Sequence, residues 1–79
     1  MIESLVLIEG KQEQNMDKET LSSVSLMSAK HLVVGSVPGG GVILHVAANS
    51  PADLSNALVE FAKVPGVAEA VTLRLRIAD

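Results

Sequence analysis

Two valine-rich runs, His31 to Val37 and Val42 to Ala48, are joined by Pro38-Gly39-Gly40-Gly41, and no other stretch limits the fold of this chain as much. β-branched residues favour extended backbone, and consecutive glycines supply the positive φ that tight reversals require, so the segment predicts a β-hairpin. Directly after it, Ser50-Pro51-Ala52-Asp53 combines an N-cap serine, a proline at the first helical position and a carboxylate placed to reach back to the cap. Leu54, Ala57, Leu58, Phe61 and Ala62 then recur at three- and four-residue spacing, which predicts a helix with one apolar stripe. Pro65-Gly66 stops that helix, and Val67 to Ile77 reads as a final strand.

The first half is less regular. Ile2 to Ile8, broken by Gly10, reads as a strand, and a polar stretch follows it. From Asp17, a carboxylate suited to a helix N-terminus, Leu21, Val24, Met27 and Ser28 recur at helical spacing, whereas Ser22, Ser23 and Ser25 lower helix propensity. Ser-Val-Ser-Leu also alternates as a strand would, so helix and strand both remain open over residues 17–29. Taken as a helix, it gives the order strand, helix, strand, strand, helix, strand over one domain, residues 1–79. That order predicts an α+β fold of the ferredoxin-like βαββαβ kind. Its four-stranded antiparallel sheet carries two helices on one face, and the second and last strands lie at the edges.

A chain of 79 residues buries only roughly 60% of its unfolded surface, and with no cysteine it has no disulfide to reinforce it. Its 48% hydrophobic content and mean hydropathy of +0.40 are high for so small a monomer, which points to association with another copy as a homodimer or higher ring. A net charge of −3 argues against nucleic acid as a partner, since phosphate neutralisation needs a basic stripe. The absence of a long uncharged apolar span argues against membrane, and without a basic region before the first apolar run the expected location is cytoplasmic.

Catalytic chemistry has little to work with, and the reading is non-enzymatic, with no catalytic residues and no cofactor. A Cys-x-x-Cys metal carrier is excluded by composition, and base stacking by a single aromatic residue, Phe61, which falls on a helix. A phosphate-cradling loop at Gly39 to Gly41 lacks the helix N-terminus that should follow. Acyl-phosphate hydrolysis on this fold needs an arginine after the first strand, where only Lys11 and Lys18 stand. His31, expected to be exposed, and His45 have no third ligand beside them, so no metal site is expected.

Alternation assigns the faces. If the hairpin closes with Val37 opposite Val42, then Val33, Val37, Val42, Leu44 and Val46 share the helix-covered face, leaving Leu32, Val34, Ser36, Ile43, His45 and Ala47 on the other. To this uncharged set the first strand adds either Leu5 and Leu7 or Val6 and Ile8, and the last adds Ala68, Ala70 and Thr72. A bare apolar sheet face predicts an interface, with Leu32, Val34, Ile43, His45 and Ala70 as its candidate residues. His45 is read as half-buried and hydrogen-bonded across that interface, with a pH-sensitive or ligand-contacting role as the alternative. Arg74 and Arg76 are expected to guard an edge strand against aggregation while Val71, Leu73, Leu75 and Ile77 point into the core; an anion or partner contact is the alternative.

The stretch from Val37 to Arg76 resembles the ligand-binding (RAM, ACT-like) domain of the leucine-responsive/asparagine-type transcription regulators, which also occurs as a stand-alone protein. The resemblance rests on Val37-Pro38-Gly39 at the turn, the apolar strand and capped helix after it, the hinge Pro65-Gly66-Val67, and Thr72 at a recurrent threonine position. The acidic residue that the family carries soon after Gly39 is absent, as is a helix-turn-helix. The resemblance implies dimers that assemble into rings and bind small metabolites such as amino acids between them, with Gly39, Gly40 and Thr72 as candidate ligand-binding residues. The chain is also similar to the nitrate-reductase assembly chaperones in length, strand order, the run Ser4-Leu5-Val6 and the hinge Gly66-Val67. That likeness implies a client peptide, a twin-arginine leader, bound on the sheet. The aromatic, histidine-rich last strand of those chaperones is replaced by Leu73-Arg74-Leu75-Arg76.

Overall fold

The computed structural model describes residues 1–11, 18–27 and 29–77. Strand β1 (Ile2–Gly10) leads to helix α1 (Lys18–Ser22), the hairpin β2 (Ala29–Val37) and β3 (Gly41–Ala48), helix α2 (Pro51–Ala62) and strand β4 (Val67–Ile77). The four strands form one antiparallel sheet in the order β2-β3-β1-β4, an α+β fold with β2 and β4 at the edges.

Helix α2 forms as its sequence dictates. Ser50 stays extended at φ −146° and ψ 161°, and its Oγ accepts a hydrogen bond from the Asp53 backbone N–H at 3.1 Å. Leu54, Ala57 and Phe61 are buried along one stripe, and the helix ends at Lys63 before Gly66 turns the chain at φ +90°. Helix α1 is much shorter than the periodicity predicts. Leu21 is fully buried, but after Ser22 the chain leaves the helix, and Val24 and Leu26 reach the core from non-helical backbone while Met27 is wholly exposed. The serines compete for backbone hydrogen bonds, as Ser23 Oγ does in donating to the Thr20 carbonyl at 2.9 Å. Asp17 and Ser28 lie outside the described residues.

The core sits between the helices and one sheet face, where Val6, Ile8, Val42, Leu44 and Val46 meet Leu21, Leu54, Ala57 and Phe61. His31 belongs to this layer and is half-buried, contrary to the exposed position expected of it. Its Nε2–H donates to the Leu21 carbonyl at 2.8 Å, and its ring meets Phe61 edge-on with centroids 5.1 Å apart. One side chain thus joins α1, β2 and α2.

Three bulges shift the register, and each moves side chains to the face opposite the one that plain alternation assigns. In the hairpin the extra residue is Val34, so Val37 pairs with Gly41 and Ser36 with Val42, which puts Val37 on the face away from Val42. In β4 the extra residues are Leu73 and Ala68. Thr72 consequently lies opposite Val6 and Ala70 opposite Ile8, both on the helix side, where Ala70 packs against the core rather than joining the bare face. Arg74 and Arg76 lie opposite Leu5 and Glu3 on the other face. Leu75 and Ile77 do point to the helix side, but among the described residues no helix covers them there: with Leu73 they are 51–75% exposed and are not core residues.

Candidate functional site

The face of the sheet away from the helices is open. β1 contributes Glu3, Leu5, Leu7 and Glu9 to it, because Val6 and Ile8, the alternate set, are fully buried on the helix side. Pairing then fixes the rest in rows that run across the sheet. One row holds Lys30, Ala47, Glu3 and Arg76; the next holds Leu32, His45, Leu5 and Arg74. A third holds Gly35, Ile43, Leu7 and Val71. The last is formed by Val37 opposite Gly41 and by Glu9 opposite Glu69.

This face is apolar at its centre and charged at its ends. Lys30, Arg74, Arg76 and Glu3 give one end a formal charge of +2 (three cations less one carboxylate), and Glu9 with Glu69 gives the other −2. The uncharged face expected from β2 and β3 is therefore only its middle. Between the ends, Leu32 is 68% exposed. Gly41 lets the turn close tightly there, since a Cβ on it would stand 2.7 Å from Val37 Cγ2 and 2.9 Å from Leu7 Cδ1.

At the basic end, His45 Nε2 stands 3.8 Å from Glu3 Oε1, a loose contact within one chain. Among the described residues Arg74 and Arg76 form no salt bridge, so both guanidinium groups are available to an external anion. The hollow they share with Glu3, Ser4, Leu5 and His45 is about 200 Å³, smaller than the ~300 Å³ from which small-molecule pockets ordinarily begin. Such a surface offers apolar contact and point charges, the means of recognition.

Of the interface residues expected from sequence, Leu32, Ile43 and His45 lie together on this face; Val34 is exposed in the hairpin bulge, and Ala70 is on the other side. The ligand-binding candidates are not brought together. Gly39 and Gly40 form the hairpin turn at φ near +100°, whereas Thr72 sits on β4, with β1 between that strand and the hairpin. Lys30 is the charged member of this face that sequence reasoning missed; alternation alone leaves open the side of Glu3, Glu9 and Glu69, and it sets Arg74 and Arg76 away from the core, where the structure has them. Among the described residues there is no group of three metal-ligating side chains, and no helix is long and apolar enough to cross a membrane. Compared with known proteins, the chain matches no family model, no curated protein and no solved structure.

Proposed function

We propose that this chain is a non-enzymatic domain of the ferredoxin-like βαββαβ kind that dimerises through its open sheet face and serves in the cytoplasm as a regulatory, small-ligand-sensing module. The observation that carries the reading is the open face itself, where Leu5, Leu7, Leu32, Ile43 and Val71 meet no covering element among the described residues. The strand order β2-β3-β1-β4 supports the ferredoxin-like assignment. The likeness of Val37 to Arg76 to the ligand-binding domains of leucine-responsive/asparagine-type regulators supports the sensing role.

A second reading is favoured by one feature. Glu9 and Glu69 make an acidic end that suits a twin-arginine leader, and an assembly chaperone would hold its client along the same face. Arg74, Arg76 and Lys30 at the opposite end repel such a client, so dimerisation is the better reading.

Ile43→Glu separates the two. It places an unpaired carboxylate at the centre of the face without touching the helix-side core. Under the dimer reading the wild type runs at twice the mass of a folded Ile43→Glu protein in size-exclusion chromatography with light scattering. Two monomers of equal mass would overturn that reading.

A further inference from the structure

The charged ends of the open face determine how two copies can meet. Stacked sheets pack about 10 Å apart with strands near 30° of one another, and a symmetric dimer buries the same surface of both copies. Two in-plane two-fold axes keep the strands of such a pair aligned. An axis along the strands keeps each end over its own equivalent, setting Lys30 of one copy against Arg76 of the other. An axis across the strands exchanges the ends, setting the +2 end of one copy over the −2 end of the other. Pairing β4 edge to edge instead would leave the apolar centre bare.

We propose that the partner on this face is a second copy in the antiparallel orientation, with Arg76 of each copy over Glu69 of the other and Arg74 one row away from the same carboxylate. The inference rests on the dimer reading above and adds its geometry. In this arrangement the row of Lys30, Ala47, Glu3 and Arg76 lies over the row of Glu9 and Glu69, and the row of Leu32, His45, Leu5 and Arg74 lies over that of Gly35, Ile43, Leu7 and Val71. Leu5 meets Leu7 and His45 meets Ile43. Leu32, the prominent apolar side chain of the face, stands over Gly35, around which a Cβ would find nothing within 4 Å in its own chain. Glu3 is the one charge of the wrong sign in its row; it stands over Glu9 of the other copy and leans toward His45 of its own chain. Four strands at about 4.8 Å and four rows at about 6.8 Å give roughly 500 Å² of plane per copy. A pair therefore buries on the order of 1,000 Å², at the threshold of a specific interface, where complementary charge selects the orientation.

Charge exchange tests this directly. Arg74→Glu/Arg76→Glu and, separately, Glu69→Lys each juxtapose like charges and are expected to weaken the dimer by on the order of 100-fold in Kd. An equimolar mixture of the two, and a single chain carrying all three substitutions, should recover a dimer to within about tenfold of wild type, because residues 76 and 69 again meet with opposite signs. Variants that stay monomeric when mixed, beside a wild type that is dimeric, would overturn the antiparallel orientation and leave the dimer reading standing. A monomeric wild type would overturn both. If an exchanged variant does not fold by circular dichroism, the orientation is read by cross-linking, for which the absence of native cysteine leaves a clean background. Leu32→Cys mixed with Gly35→Cys is expected to form a disulfide-linked heterodimer. Leu32→Cys mixed with Arg74→Cys, apposed only under the parallel arrangement, is expected to form none; the opposite result would overturn the inference.

Discussion

Ser50 shows how a single side chain sets a boundary here. Its Oγ satisfies the Asp53 N–H at the point where α2 begins, so Ser50→Ala leaves that donor unpaired and should cost about 1 kcal/mol. In a domain of this size that corresponds to a melting temperature lower by roughly 4–8 °C, measurable by circular dichroism. Gly41 acts through absence: a methyl there would press on Val37 and Leu7, and Gly41→Ala should destabilise the fold by about 1–3 kcal/mol in urea denaturation. The cap is legible in sequence, since it acts within a few positions of itself; the crowding at Gly41 is not, because Leu7 comes from another strand. The role of His31 is not, because its partners Leu21 and Phe61 are ten and thirty positions away.

At the scale of elements, β4 is where alternation misleads. Val67 to Ile77 is a strand with the bounds its sequence implies, yet the bulge at Leu73 turns Arg74 and Arg76 onto the open face and Thr72 toward the helices. A bulge changes which side chain faces where without leaving a mark in the apolar pattern, so the strand could be read but not its faces. The last residues also run past the cover the helices provide. Leu75→Ala should therefore cost less than about 1 kcal/mol, against the 2–5 kcal/mol of a buried leucine. A loss in the higher range by denaturant titration would mean that Leu75 is packed. The first helix was ambiguous for a related reason. Its apolar spacing is helical, but the helix stops at Ser22 in the serine-rich sequence, and tertiary packing of Leu21, Val24 and Leu26 does the rest.

For the whole molecule, the helices cover one face and the other is left with an apolar centre between two opposite charges. Antiparallel pairing of two such faces places attractive contacts at both ends, so screening should act against the dimer. Raising the salt from about 0.05 to about 0.5 M is expected to increase the dimer Kd several-fold, whereas a parallel pair, with like charges apposed, would tighten. Such a salt series belongs with the measurement that bears most directly on the account, the mass of the wild-type chain in solution by size-exclusion chromatography with light scattering, diluted to low micromolar. The account predicts twice the chain mass, or a larger ring built from that pair, persisting through the dilution. A clean monomer throughout would contradict it and would mean that the open face serves another protein.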